Sequence, residues 1–160
     1  DYWIWKSIEV VSPAIVAIEY NAVLGDLHAL TIPYQVDFQR TNAHHSNLYF
    51  GASLPALIQL GKQKGYTFVG TTSTGCNAFF VKNDLAENVT PALSGAWGYP
   101  SNVREARDEN SKLLFLGGAA RAREILNLPL LNPLTGEQTT LEDCGNLYSD
   151  SWKAGRRALF

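Results

Sequence analysis

The sequence lacks methionine altogether and has only two cysteines among its 160 residues. Because a translation product normally starts with methionine, we interpret the chain, which opens with "DYWIW", as part of a longer protein. Cys76 and Cys144 are too few for a disulfide scaffold, and the absence of a CxxC motif removes support for a zinc or thioredoxin-like site. We therefore expect two free thiols in a reducing compartment, a cytoplasmic location and no metal.

An excess of one charge and long apolar runs are also missing. The net charge of -2 provides no electrostatic footprint for nucleic acid or for an anionic membrane. The apolar runs are the length of a strand, whereas a membrane helix needs about 20 residues. A composition of 46% hydrophobic and 18% charged residues is typical of a globular protein. The expected partners therefore include neither nucleic acid nor membrane.

The first 20 residues predict a helix followed by a strand. In "DYWIWKSIEVV", Trp3, Ile4, Ile8 and Val11 recur at helical spacing, and Ser12-Pro13 breaks the pattern. The run "AIVAIEY", which ends at Tyr20, is almost continuously apolar. Such a run is typical of a strand buried on both faces, as in a parallel sheet.

A second helix and a hairpin are predicted after a long irregular excursion over residues 22–52. Ser53 is a suitable N-cap, Pro55 is tolerated in the first turn, and Gly65 is placed to end the helix. The strands "YTFVGTTS" and "NAFFVKN" are separated only by a short turn around Thr74-Gly75, so they must be antiparallel.

The pattern weakens after residue 84. We expect residues 1–84 to form the ordered α/β part and residues 85–160 an irregular, partly helical tail packed on it. Within the tail, "AARAREILNL" predicts a helix over 119–128. Its charged residues Arg121, Arg123 and Glu124 are assigned to an exposed helix face.

Several phrases of the sequence resemble one known family. "DYWIWKSI", "IVAIEYNAVLG", "SNLYFGASLPAL", "GYTFVGTTSTGCNAFFV" and "NVREARDENSKLLFLGG" are similar to recurrent phrases of FkbM-type, class I S-adenosylmethionine-dependent methyltransferases and their bacterial relatives. The resemblance spans residues 1–125. It implies that the chain is the C-terminal half of a Rossmann-like methyltransferase sheet, which ends in an antiparallel hairpin. The three predicted strands would then be strands 5, 6 and 7 of the sheet order 3-2-1-4-5-7-6.

The cofactor site that the resemblance implies is not in this sequence. Such a site needs a glycine-rich turn after the first strand and an acidic residue after the second. The chain has no GxGxG motif. We therefore expect S-adenosylmethionine to be bound mainly by a missing N-terminal half, or the site to have been lost.

Glu19 and Asn21 are the first candidate site residues. In open α/β sheets, ligands bind beyond the carboxyl ends of the strands, and both residues lie where the first predicted strand ends. Glu19 could act as a base, and Asn21 could orient a substrate hydroxyl. The alternative is structural, with Glu19 capping a helix and Asn21 forming a turn.

The segment "TNAHHSNLYFGASLPAL" supplies the other candidates. His44 and His45 precede the second predicted helix, whose N-terminus is expected at the same end of the sheet as Glu19. A histidine has a pKa suited to deprotonating a hydroxyl near neutral pH. Since adjacent side chains usually point apart, we expect at most one of them to face the site. Asn47 and Tyr49 are assigned to substrate binding. The alternative is that the segment serves only as a hydrogen-bonded entry to the helix.

The resemblance implies an O-methyltransferase that acts on a sugar, a glycan or another small hydroxyl substrate. Two alternatives remain open: a catalytically inactive Rossmann-like module for binding or assembly, and a sugar-nucleotide enzyme whose motifs lie upstream. A fold alone does not determine the chemistry. The apolar first strand also predicts that the chain pairs with the missing half or forms a homo-oligomer.

Overall fold

The structure, a computed structural model, describes residues 1–160 as a mixed α/β chain. The helices are α1 (Tyr2–Ser7), α2 (Arg40–Ala43), α3 (Leu54–Gln63), α4 (Asn83–Ala86), α5 (Ala119–Arg123), α6 (Leu141–Cys144) and α7 (Asp150–Lys153), with 3-10 turns at Ala22–Leu24 and Thr90–Ala92. The strands are β1 (Ile15–Glu19), β2 (Tyr66–Thr71), β3 (Asn77–Lys82), β4 (Trp97–Gly98), β5 (Leu130–Leu131), β6 (Gln138–Thr139) and β7 (Ala158–Leu159).

The main sheet has three strands in the order β1-β3-β2. β3 is the central strand and runs antiparallel to both neighbours, with Ile15 opposite Val81 on one side and Tyr66 opposite Lys82 on the other. The predicted hairpin of β2 and β3 is therefore confirmed. Two further pairs, β4 with β7 and β5 with β6, are only two residues long.

The expected fold class is confirmed at the level of a mixed α/β chain. The structure does not show a Rossmann-like methyltransferase sheet: the main sheet has only three strands, and no pair of strands is parallel. The expectation that β1 is buried on both faces is wrong, because most of its side chains are exposed or half-buried. β1 is an edge strand in which only Ile18 is buried, and the side chain of Ile15 is 61% exposed.

Helix α3 forms as its sequence predicts. The hydroxyl of Ser53 accepts a hydrogen bond from the backbone N–H of Ala56, and such caps stabilise a helix by about 1 kcal/mol. The buried side of the helix includes Leu54, Leu57 and Leu60. Gly65 follows with φ of 80°, a left-handed conformation that glycine adopts without strain.

Two other helices are shorter than predicted. α1 ends at Ser7. Val10 and Val11 therefore lie outside the helix, where they are 98% and 64% exposed. α5 ends at Arg123, and the chain continues as a series of turns before β5. In both segments the helical spacing of apolar residues continues beyond the residue at which the helix ends.

The buried residues form two clusters. The first core lies between the main sheet, α1 and α3, and includes Trp5, Leu57, Phe80 and, from the tail, Trp152. The second core joins residues 23–49 of the excursion to residues 106–147 of the tail. Its fully buried residues include Leu24, Leu30, Leu48, Ile125, Leu130 and Leu141. The tail therefore packs on the excursion through the second core, and Trp152 of the tail packs in the first core.

Candidate functional site

The site lies at the carboxyl end of β1, where the two cores meet. The N–H of Tyr20 donates to the carbonyl of Cys76, and the N–H of Asn21 donates to the carbonyl of Ala52 at 2.7 Å. Ala52 immediately precedes the N-cap of α3. The end of β1 and the start of α3 are therefore side by side, as the sequence predicts.

Two cavities open at this position. The inner cavity has a volume of about 200 Å³ and is lined by Tyr20, Asn21, Cys76 and Arg121, among others. The outer cavity has a volume of about 450 Å³ and is lined mainly by aromatic and apolar residues around Trp3. The two cavities share Glu19, Arg40 and Phe50. We call the pair the cleft.

Asn21 is a structural residue of the inner cavity. Its side-chain nitrogen donates to the carbonyls of Leu48 at 2.8 Å and Phe50 at 2.9 Å, and its side-chain oxygen accepts from the N–H of Val23. Both amide hydrogens are thus committed to the protein, and the residue is only 2% exposed. The structure supports the structural alternative for Asn21, which holds the excursion against the end of β1.

Glu19 is a carboxylate of the cleft that has no ion-pair partner. Its side chain is exposed, and it takes part in none of the three salt bridges of the chain. It lines both cavities. Glu19 is the last residue of β1, as the sequence predicts, and its role as a base stays a prediction.

Arg40 lines both cavities of the cleft. Its guanidinium forms an ion pair with Glu105, donates through Nε to the carbonyl of Asn47 at 2.7 Å, and lies 3.7 Å from the ring centroid of Phe50. Three different contacts therefore hold this cation in place. Sequence analysis did not select Arg40, because no pattern around it distinguishes it from an ordinary surface arginine.

Arg121 is the cation that the sequence misplaced. We expected it on an exposed face of α5, but it is only 5% exposed and lines the inner cavity. Nη1 donates to the carbonyl of Val103 at 2.8 Å, and Nη2 donates to the carbonyl of Ser101 at 3.0 Å. Burial lowers the pKa of this guanidinium. The available signal was that Arg121 is four residues before the buried Ile125, which places both on one helix face.

Tyr20 contributes a neutral phenol to the inner cavity. Its hydroxyl donates to the carbonyl of Tyr99. Burial raises the pKa of Tyr20, so the phenol stays protonated at neutral pH. Tyr20 can therefore offer shape and a hydroxyl but not a negative charge.

The structure does not bring the two histidines into the cleft. His44 and His45 line neither cavity, and their rings lie together with centroids 4.1 Å apart rather than pointing apart. Nδ1 of His44 is 2.8 Å from the hydroxyl of Ser46. Burial and the neighbouring His45 lower the pKa of His44, so its imidazole is neutral at pH 7. A catalytic role for either histidine stays a prediction.

Asn47 and Tyr49 have clear structural roles. Asn47 adopts a left-handed conformation with φ of 60°, and its N–H donates to the carbonyl of His44. Tyr49 belongs to the second core, and its hydroxyl donates to the carbonyl of Pro129. Neither residue lines the cleft, so the structure places the two assigned substrate-binding residues behind it.

The chemistry available in the cleft is polar and charged. The inner cavity offers one carboxylate outside an ion pair at Glu19, a fixed cation at Arg40, a buried cation at Arg121 and a partly exposed thiol at Cys76. No group of three or more His, Cys, Asp or Glu side chains is arranged to hold a metal ion. None of the helices is long and apolar enough to cross a membrane.

The residues of the cleft do not fit S-adenosylmethionine. Such a cofactor needs consecutive open glycine backbone, whereas Gly75 at the inner cavity packs against protein, with a Cβ position only 2.4 Å from the carbonyl oxygen of Pro100. Gly51 at the outer cavity does face open space, but it is a single glycine. No reaction step can be assigned to that cofactor from this chain alone.

Comparison of the chain with protein-family models, curated proteins and solved structures finds no match in any of the three.

Proposed function

We propose that this chain is the substrate-side half of an S-adenosylmethionine-dependent O-methyltransferase of the FkbM type. The observation that carries the proposal is the strand order β1-β3-β2 with β3 antiparallel to both neighbours. It is the order 5-7-6 that the resemblance implies for the last three strands of that sheet. The proposed acceptor is a hydroxyl group of a sugar, a glycan or another small molecule.

The edge of β1 supports the proposal that further strands belong beside it. β1 pairs with β3 on one side only, so the backbone groups of Ile15, Ala17 and Glu19 on the other side have no strand partner. Beside this edge lies an apolar depression of about 640 Å³, to which Ile4 and Val11 contribute. We propose that the cofactor-binding half of the sheet, carried by another segment of the polypeptide, adds here.

Within this proposal, Glu19 is the residue that approaches the acceptor hydroxyl. It has no ion-pair partner, it is the one carboxylate that lines both cavities, and it lies at the carboxyl end of a strand, where α/β enzymes bind their ligands. General-base assistance contributes 10²- to 10⁴-fold to a rate. Glu19→Gln in the full protein should therefore lower turnover by roughly 10²-fold, whereas the exposed Glu142→Gln should leave it unchanged.

The double variant His44→Ala, His45→Ala separates the two candidate bases. If the histidines deprotonate the acceptor, this variant loses roughly 10²-fold in turnover and Glu19→Gln retains activity. If Glu19 does so, the pattern reverses. Equal and small effects of both changes would contradict a base from this chain.

Cofactor binding tests the wider proposal. Calorimetry should show no binding of S-adenosylmethionine to residues 1–160 and micromolar binding, worth roughly 8 kcal/mol, once the polypeptide includes the proposed cofactor-binding half. Micromolar binding to residues 1–160 alone would contradict the division into halves.

A second candidate is a catalytically inactive module for binding or assembly. The observation that favours it is the lack of a cofactor cradle together with the apolar edge at β1. A full protein that binds no S-adenosylmethionine but forms a stable assembly through that edge would support this candidate over the methyltransferase.

A further inference from the structure

Arg121 has an incomplete set of partners. Its Nε is the one buried side-chain nitrogen or oxygen in the chain without a hydrogen-bond partner. The residue is 95% removed from solvent, since only 5% of its surface is exposed. An unsatisfied buried donor normally costs about 1–3 kcal/mol, and a buried charge without a counter-charge costs more. Such a group therefore indicates a missing partner.

The protein itself does not supply the counter-charge. Arg121 takes part in none of the salt bridges, and its two side-chain hydrogen bonds go to neutral carbonyls. Glu105 attracts it from a distance, but that carboxylate is paired with Arg40. Arg104 adds further positive charge nearby. Two arginines and two glutamates line the inner cavity. Glu105 is paired with Arg40 and Glu19 is exposed to solvent, which leaves Arg121 as the buried charge without a paired counter-charge.

The inner cavity is large enough to hold a small oxyanion. Its volume of about 200 Å³ compares with the roughly 30 Å³ that one water molecule occupies in the liquid. A carboxylate or phosphate group with part of its carrier therefore fits. Guanidinium groups suit these anions because their planar N–H donors match the oxygen geometry.

We propose that the inner cavity binds the anionic group, phosphate or carboxylate, of the acceptor, with Arg121 as its counter-charge. The inference deepens the proposed function and rests on it in naming the acceptor, but the anion site itself requires only the geometry of this chain. The anion fixes one end of the acceptor in the inner cavity. The hydroxyl of the acceptor then lies toward Glu19, which lines both cavities, and toward the outer cavity.

The test is a titration of the full protein with potassium phosphate and, separately, potassium acetate. Potassium chloride keeps the ionic strength constant, and no methyl donor is present. Calorimetry should show saturable binding of one anion, and its addition should raise the melting temperature, because a ligand of the folded state stabilises it. The anion that binds more tightly identifies the group as phosphate or carboxylate.

Variants locate the site. Arg121→Gln should weaken anion binding at least tenfold, whereas Arg123→Gln, on the exposed side of the same helix, should bind as the wild type does. If Arg121→Gln does not fold, Val103→Glu tests whether the anion binds in the inner cavity. Val103 lines the inner cavity from an exposed position, so a carboxylate there should repel the anion without disturbing a core.

Two outcomes overturn the inference. One is no binding heat and no rise in melting temperature beyond the chloride control. The other is anion binding that survives in both Arg121→Gln and Val103→Glu. Since the titration contains no methyl donor, it tests the anion site alone. Anion binding by a protein that shows no methyl transfer in a separate assay with the donor would contradict only the proposed function. Methyl transfer to an uncharged acceptor without anion binding would contradict only this inference.

Discussion

The first and second cores achieve burial in different ways. The first core uses regular elements, and its backbone groups are satisfied by the ladders of β1, β3 and β2 and by α3. The second core is built from loops and single turns, and side chains tie it together over long sequence distances. The hydroxyl of Tyr148, for example, donates to the carbonyl of Val23 at 2.6 Å. Regular structure thus supports one half, whereas individual hydrogen bonds support the other, and the cleft lies between them.

The largest expected effect tests whether the two cores unfold together. Phe80 is fully buried and packs on Trp5 with ring centroids 4.9 Å apart, so Phe80→Ala should reduce the free energy of unfolding by about 3–5 kcal/mol. Ile125→Ala in the second core should cost about 2–5 kcal/mol. Urea denaturation followed by circular dichroism measures both.

The shape of those transitions decides the comparison. If the cores form one cooperative unit, both variants shift a single transition. Two transitions, with Ile125→Ala moving only the first, would show that the second core melts on its own. Leu134→Ala, at a half-exposed position outside both cores, is the control and should change stability by less than about 0.5 kcal/mol.

The next prediction concerns Asn21, which joins the two cores. Asn21→Ala removes three hydrogen bonds and leaves the carbonyls of Leu48 and Phe50 without that donor, so stability should fall by about 2–3 kcal/mol. The exposed Asn110→Ala is the matched control. A loss below about 0.5 kcal/mol for Asn21→Ala would show that the hydrogen bonds at this junction contribute little.

The regular half of the fold was the predictable half. Ser53 as a cap, Gly65 as a helix end and the hairpin of β2 and β3 were all predicted, because local periodicity and turn chemistry determine them. Glu19 was placed correctly for the same reason, since it ends a strand. The burial of Arg121 was not predicted despite its spacing from Ile125, because the carbonyls that accept its hydrogen bonds, those of Ser101 and Val103, are distant in the sequence.

The edge strand was mispredicted for a related reason. A run such as "AIVAIEY" is apolar whether its neighbours lie in the same segment or elsewhere. The burial of a strand depends on the elements that pack against it. The hydrophobic pattern of the strand does not show where in the polypeptide those elements lie. The arrangement of the histidines was also not predicted, since their rings lie together with centroids 4.1 Å apart instead of pointing apart.

A substitution at the edge of β1 should have a small effect on stability and a clear effect on the association of the chain with itself. The free edge beside exposed apolar side chains should pair with a second copy at high concentration. Ile15→Lys should reduce this association and change the stability by less than about 0.5 kcal/mol, because Ile15 is 61% exposed. Analytical ultracentrifugation measures the association, with Leu134→Lys as the control. A wild-type chain that remains monomeric at high concentration would contradict the prediction.

The smallest expected effect is a pH dependence in the irregular half. The pKa of His44 is lowered in the folded state by burial and by His45, so the unfolded chain binds the proton more readily. Stability should therefore be unaffected above the ordinary histidine pKa of about 6.5 and should decline as the pH falls below it. Urea denaturation at several pH values between 8 and 5 should show a shallower decline in His44→Gln. An identical decline in both proteins would assign it to other groups.

The bond between Tyr148 and Val23 also has a consequence for the order in which the molecule can form. These residues are 125 positions apart, and Ser149 is 123 positions from its partner Asp26. A ribosome that adds about 5–20 residues per second needs many seconds to cover such a distance. During that interval the excursion has been made but the residues that cover it have not, so its apolar side chains face solvent. Newly synthesised chains should therefore depend on chaperones chiefly for residues 22–52, whereas α3 and the hairpin of β2 and β3 can form as soon as they emerge.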